Sequence, residues 1–236
     1  YVTVVAALAT GGLTVQKVFT AHNTFHDLKF LPFYPANVIC LNEAGKSAFM
    51  KNWFLPSSLK IHLIPNGIDP GRKQIRSGNR PREGTIVFVG RLERWKGVDQ
   101  IFKALMLLED LSIRVLLVGA GPDEARLHAL VDRLERGNKV EFVGYLENPT
   151  PAYSDAVAVV VPSTDMEGFG YVVLEAYAHQ RAVIASDLAV FDDTVVNGVT
   201  GLRFQVQNYK ALANALEYTV MNREELCQKV QEGHKL

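Results

Sequence analysis

Ala156-Val-Ala-Val-Val-Val161-Pro-Ser-Thr-Asp-Met-Glu167-Gly-Phe-Gly170-Tyr-Val-Val-Leu-Glu175 reads as a strand, a loop and a helix. The β-branched run up to Val161 suits a buried strand, and the apolar stretch from Tyr171 suits a helix. The same alternation continues on both sides. Upstream lie strand runs Thr85–Val89, Ile113–Val118 and Lys139–Val143, with helical spacing near Val98 to Leu108 and from about Asp123 to Glu135. Leu127, Leu130, Val131 and Leu134 mark one face of the second helix. Downstream come Ala182-Val-Ile-Ala185 and two closing helices, about Tyr209–Val220 and Arg223–Gly233. Strands alternating with helices imply right-handed crossovers and a parallel sheet covered on both faces, a doubly wound α/β domain.

Before Arg82 the pattern is thinner. Gln16–Thr20, Val38–Leu41 and Leu59–Ile64 read as strands, and Glu43 to Phe54 reads as a helix. Pro65-Asn-Gly-Ile-Asp-Pro70 is a turn cluster, because Asn-Gly accepts positive φ and Pro70 blocks continuation. Residues 71–84, with Arg72, Lys73, Arg76, Arg80 and Arg82 among Gly and Pro, suit a solvated linker.

Composition narrows the function. At 48% hydrophobic and 21% charged residues, the chain has a globular composition. A formal net charge of +0 argues against general nucleic-acid binding. Cys40 and Cys227 lie far apart in apolar or helical contexts, so a reducing compartment is the default. No apolar run reaches the roughly 18–20 residues that span a bilayer. Tyr1 to Leu8 lacks the basic region of a signal peptide and reads as an entry in mid-domain.

Open α/β sheets bind ligands outside the carboxyl ends of their strands. Three such places carry suitable residues. Gly90-Arg-Leu-Glu-Arg-Trp-Lys-Gly97 brings Arg91 and Lys96, a planar fork and a compact charge, towards the crevice. Val118-Gly-Ala-Gly-Pro122 lets a ligand or backbone approach closely, and tight-turn packing explains it equally well. In the third, Gly168 and Gly170 flank a helix start, where unpaired N–H groups favour a phosphate or sugar hydroxyl. Glu167 sits ahead of that helix. Glu175 lies about one turn in among apolar residues, where a carboxylate is costly unless hydrogen-bonded. A ribose diol is a natural partner for it; a core Arg or Lys is the plainer alternative.

Taken in order, these motifs, with Phe142-Val-Gly-Tyr145, Val161-Pro-Ser163, Glu167…Glu175-Ala176 and Asn197-Gly-Val-Thr-Gly201, carry a family likeness. Residues 84–205 resemble the donor-binding domain of glycosyltransferase family 4, retaining enzymes of the GT-B fold. Upstream, Thr20-Ala-His22, Leu41-Asn-Glu-Ala-Gly45 and Ile64-Pro-Asn-Gly-Ile-Asp69 resemble the distal part of the family's acceptor domain and its hinge.

The resemblance implies a partial Rossmann-like acceptor-side domain with hinge over residues 1–70, a linker over 71–84 and a Rossmann-like nucleotide-sugar-binding domain over 85–236. It implies transfer, with retained anomeric configuration, from a nucleoside diphosphate sugar such as a UDP- or GDP-sugar. The acceptor would be a glycan, a lipid-linked or a small molecule. Arg91 and Lys96 would hold the diphosphate and neutralise the leaving charge, without metal or cofactor. Glu167 would contact the transferred sugar, and Gly119 and Gly168 would border the donor. Backbone groups of Phe169, Gly170, Tyr171 and Val172 would bind phosphate and sugar. Glu175 would take the ribose hydroxyls, Tyr145 and Leu146 would lie against the base, and His22 would reach in from the other domain.

The chain also departs from the pattern. Gln180 and Ala182 stand where the family usually has Gly and Pro, which bears on packing more than chemistry. Asp187–Asp192 lacks the usual glycine pair, which puts close ligand approach there in doubt. Only about 65 residues precede the hinge, too few for a complete Rossmann half. A fragment, a short enzyme or half of a split enzyme all fit, as does a non-catalytic nucleotide-binding module. An incomplete first domain would leave Phe30–Phe33 and Trp53–Phe54 uncovered and open to self-association or a partner subunit. The pattern Lys46, Phe49, Lys51, Trp53 would suit a membrane surface, so the expected location is cytoplasmic, or peripheral to a membrane. Glu-x7-Glu spacing favours a transferase over an epimerase of the same fold.

Overall fold

In the computed structural model the β-branched runs form two parallel sheets. It describes residues 18–21, 37–52, 55, 57–68, 81–82, 84–135, 137, 139–165 and 167–233. The chain divides into two units, Tyr1–Gly67 with Met166–Phe169, and Ile68–Asp165 with Gly170–Leu236.

The first unit holds strands β1 (Val18–Ala21), β2 (Asn37–Cys40) and β3 (Lys60–Leu63), paired in that order, and helix α1 (Glu43–Asn52). These bounds fall within about two residues of the sequence expectation. Phe30–Phe33, Trp53 and Phe54 lie outside the described residues. A small core forms from Val38, Cys40 and Phe49, with Leu55, Leu59 and Ile61 against it. Phe49 therefore corrects the interfacial pattern: 5% exposed, it packs inward on the sheet, and Lys46 pairs with Glu43 at 3.2 Å. Burial pushes the Cys40 thiol above its usual range, while nearby Lys46 partly opposes that. A neutral, buried thiol behaves as a small core residue.

The second unit is built on β4 (Thr85–Val89), β5 (Arg114–Val118), β6 (Val140–Gly144), β7 (Ala158–Val161), β8 (Ala182–Ser186) and β9 (Gly201–Phe204). The order is β6-β5-β4-β7-β8-β9, all parallel. Central strands β7 and β8 are buried at every position, as a sheet covered on both faces requires. The helices are α2 (Val98–Leu105), α3 (Glu124–Arg133), α4 (Thr150–Asp155), α5 (Tyr171–Ala178), α6 (Tyr209–Met221) and α7 (Arg223–Gly233). From β4 the chain steps outward to β5 and β6, then crosses back to β7 and runs to β9. Right-handed crossovers therefore put α2 and α3 on one face and α4 and α5 on the other. One continuous core includes Ile86, Phe88, Ile101, Phe102, Leu117 and Leu127. Each such side chain contributes roughly 1.5–3 kcal/mol of burial.

Three local features differ from expectation. Helix α4 stands where no element was expected, and so does β9, which begins at Gly201, the last residue of the Asn197–Gly201 motif. Ile113, Ala156 and Val157 precede their strands rather than opening them. At the end of α5, Gln180 takes φ +56°, the left-handed conformation that glycine adopts without strain. The Gly-to-Gln departure thus preserves the turn at a local cost. Among the described residues no helix is long and apolar enough to cross a membrane.

Candidate functional site

The strand order of the second unit reverses between β4 and β7, because β4 pairs with both β5 and β7. Loops leaving the carboxyl ends at such a point open a crevice. The loop after β4 is the Gly90–Gly97 motif, and the loop after β7 begins the Pro162–Gly170 segment. Two of the three places selected from sequence therefore flank the switch point.

These loops are tied together. Residues 94–96 form a 3-10 turn, and the Trp95 carbonyl accepts from the Thr164 amide at 2.7 Å and from Thr164 Oγ1 at 3.1 Å. Ser186 Oγ, at the end of β8, donates to the Ser163 carbonyl at 2.6 Å. The loop after β5 docks alongside: Gly90 N donates to Val118 O at 2.9 Å and Leu92 N to Ala120 O at 3.0 Å. A Cβ on Gly119 would lie 1.9 Å from the Gly90 carbonyl oxygen. Loop-on-loop packing thus accounts for Gly119 without a ligand.

On this frame the Arg91 side chain is 75% exposed and pairs with Glu93 at 2.8 Å. So open a pair contributes little to stability. Lys96 Nζ rests 4.3 Å from the Trp95 ring centroid, and Trp95 Nε1 donates to Glu93. Tyr145 is 76% exposed in the loop after β6, with Leu146 half-buried beside it.

Gly170 (φ +75°, ψ +52°) caps α5 with no side chain of its own. The amides of the first helical turn therefore open towards the carboxyl end of the sheet. Tyr171 is half-exposed and Val172 half-buried. The Asp187–Asp192 segment turns through a 3-10 helix at Ala189–Phe191 and buries Phe191 against Gly170. The Phe191 ring thus lies against the start of α5.

Half-buried Glu175 has a phenol for a partner. Tyr153, on α4, donates its hydroxyl to Glu175 Oε2 at 2.7 Å. Glu167, Gly168 and Phe169 group with the first unit, where Asn42 Nδ2 donates to the Gly168 carbonyl at 2.9 Å. His22 lies outside the described residues.

The family model for glycosyl transferases group 1 matches residues 72–235. The chain belongs to the group 1 glycosyl transferases. Among this group, an uncharacterized glycosyltransferase of Methanocaldococcus jannaschii is 29% identical over 204 residues, 80% of this chain and 52% of the relative. A glycogen synthase of Mycobacterium tuberculosis is 33% identical over 175 residues, 69% of this chain and 40% of the relative. The chain thus spans about half the length, or less, of these curated relatives. Anabaena HepE, solved with UDP and glucose, matches with a TM-score of 0.83 and 22% identity, over 97% of this chain and 68% of HepE. The chain has the Rossmann-like parallel α/β architecture of the GT-B glycosyltransferases.

Sequence reasoning missed Tyr153 and Thr164 in this group 1 transferase. Tyr153 sits on α4, whose start carried a readable sign: Pro149 and Pro151 surround Thr150, and Asn148 Oδ1 caps its amide at 3.1 Å. Nothing local marks the Trp95–Thr164 tie, which joins residues 69 apart.

Proposed function

We propose that this chain carries the donor-binding part of a retaining glycosyltransferase that uses a nucleoside diphosphate sugar without a metal or cofactor. The observation that carries the reading is the tie between the Gly90–Gly97 and Pro162–Thr164 loops at the switch point. It brings two cationic side chains beside one loop and a half-buried carboxylate on the helix that follows the other. A ligand with a diphosphate at one end and a ribose diol at the other matches that division. UDP in HepE and the glucan-forming name of the mycobacterial relative support it.

In this reading Arg91 and Lys96 bind the diphosphate and stabilise charge on the departing nucleotide. The amides of Tyr171 and Val172 contact phosphate and sugar at the helix start. Glu175 accepts from the ribose hydroxyls, and Tyr145 lies along the base. Glu167, with Gly168 and Phe169, is assigned to the transferred sugar, and His22 is assigned to the sugar or acceptor. Residues 1–70 are a partial acceptor-side domain with the hinge, 71–84 the linker and 85–236 the nucleotide-sugar-binding domain. The acceptor is a glycan, lipid-linked or small molecule, not nucleic acid, and the protein works in the cytoplasm or at a membrane surface.

Calorimetry with UDP, GDP and ADP tests the reading. At least one binds, and Lys96→Ala or Glu175→Ala weakens it roughly 10- to 100-fold, since hydrogen bonds to charged groups contribute about 1.5–3 kcal/mol. Failure of all three to bind the wild type overturns the donor-site assignment. Binding without release of nucleotide from any donor sugar favours a binding module or donor subunit over a self-sufficient enzyme.

A further inference from the structure

Tyr153 is fully buried, yet it carries a phenol that must find an acceptor. It finds Glu175 Oε2 at 2.7 Å, on a different helix. Two further contacts hold the adjoining backbone and one holds the ring. His179 stacks on it, centroids 5.1 Å apart and planes 11° from parallel. Arg181 Nε donates to the Tyr153 carbonyl at 2.9 Å, and Arg181 Nη2 donates to the Ser154 carbonyl at 3.0 Å. Both restraints come from the turn that closes α5, the same helix that carries Glu175. The left-handed Gln180 lies between them in sequence, in the turn that leads into β8.

A half-exposed Glu normally samples several rotamers, and each lost rotamer costs free energy when a ligand binds. A phenol held in place beforehand removes much of that cost. A carboxylate accepts about four hydrogen bonds, so a donated phenol proton is compatible with accepting from two vicinal hydroxyls.

We propose that Tyr153 is a positioning residue for donor recognition, orienting the Glu175 carboxylate so that it accepts from the ribose diol of the bound nucleotide. The proposal rests on the donor-site reading. It assigns ribose selectivity to a side chain that itself touches no ligand.

The test compares UDP with 2′,3′-dideoxy-UDP, which lacks both hydroxyls, repeated with the GDP or ADP pair if either purine nucleotide binds better. Wild type prefers the ribonucleotide by roughly tenfold or more. Tyr153→Phe keeps the ring and its packing, and is expected to reduce that preference several-fold while leaving dideoxynucleotide affinity nearly unchanged. In a Glu175→Gln background the Tyr153→Phe substitution changes the ratio little, because the two act as one unit. An undiminished ribose preference in Tyr153→Phe overturns the proposal and leaves Tyr153 a core residue. No nucleotide binding by wild type overturns the donor-site reading, and the proposal with it.

A second measurement needs no variant. In wild-type protein carrying 13Cζ-tyrosine, the Tyr153 resonance shifts on adding UDP and much less on adding the dideoxy analogue. Equal shifts with both refute the coupling.

Discussion

Gly170 sets the start of α5, and replacing it by alanine separates two costs that the structure predicts will add. Its φ of +75° is the left-handed region, where an L side chain costs about 1–2 kcal/mol. A Cβ built there lies 2.6 Å from Phe191 Cε1, whereas carbons in contact sit about 3.5–4.0 Å apart. Phe191 is fully buried, so its ring withdraws only by disturbing a close-packed core, at about 1–3 kcal/mol. Alanine's lower freedom in the unfolded chain returns about 0.4–1 kcal/mol. The net loss is about 2–4 kcal/mol, or roughly 5–12 °C in Tm for a domain of this size. Thermal unfolding followed by circular dichroism measures it beside two controls. Gly198 has the same φ of +75° with nothing within 4 Å of the place a methyl would take, so Gly198→Ala isolates the backbone cost. Gly137 has open space and no left-handed φ, and Gly137→Ala is expected to be silent or slightly stabilising. The order of Tm is therefore Gly137→Ala, then Gly198→Ala, then Gly170→Ala. A Gly170→Ala protein melting with Gly198→Ala would refute the contact with Phe191. A Gly170→Ala/Phe191→Leu double variant that loses as much as both single variants together would refute it independently.

Two further outcomes follow from conformation and burial. Gln180→Gly relieves the left-handed strain at the end of α5 and is expected to raise stability by about 0.5–1 kcal/mol after the entropy of glycine is subtracted, a Tm rise of a few degrees; an unchanged or lower Tm would place that residue outside the left-handed region. Burial lifts the Tyr177 phenol to about 12, with the Thr200 hydroxyl partly opposing, and the phenol donates to the Thr194 carbonyl at 2.9 Å. Because the unfolded chain releases this proton near pH 10, the contribution is complete below about pH 10 and is lost as pH rises through about 12, by on the order of 2–3 kcal/mol. Urea midpoints at pH 9, 10.5 and 12 therefore fall with pH, and Tyr177→Phe flattens the slope; a slope equal in both proteins would show that Tyr177 does not carry it.

The parts of this fold that were legible are those whose signal is local. Thr85–Val89 is mostly β-branched and Ala182–Ser186 small and apolar; both are buried almost throughout, and such runs have few alternatives to a central parallel strand. Helix α4 was passed over because Thr150–Asp155 is too short to display a helical period, although the prolines around Thr150 mark its start. Gly201–Phe204 escaped for a similar reason, since a glycine and an arginine interrupt its apolar character. Loops flanking the switch point could be chosen from residue types alone, but the meaning of their glycines could not. Gly119 avoids a carbonyl oxygen and Gly170 avoids an aromatic ring, and both contacts are tertiary. The partner of Glu175 is tertiary too: an apolar helix announces that a carboxylate needs a donor, but not that the donor is a phenol 22 residues earlier.

That distinction bears on how specificity is built here. The cationic groups Arg91 and Lys96 stand on a loop, with one side chain largely in water and the other over an indole face. Such groups attract any diphosphate and discriminate poorly between them, since their interactions are long-ranged and tolerant of geometry. The carboxylate is the opposite case. Hydrogen bonds to a diol are short and directional, so their selectivity depends on how firmly the acceptor is held. Glu175 has that support from Tyr153, while His179 and Arg181 fix Tyr153 in turn. In the proposed donor site, a carboxylate held by Tyr153 beside loop-borne cations would let the anion be captured first and the sugar moiety be tested afterwards. On this reasoning, loosening the Tyr153–His179–Arg181 cluster costs selectivity before it costs affinity.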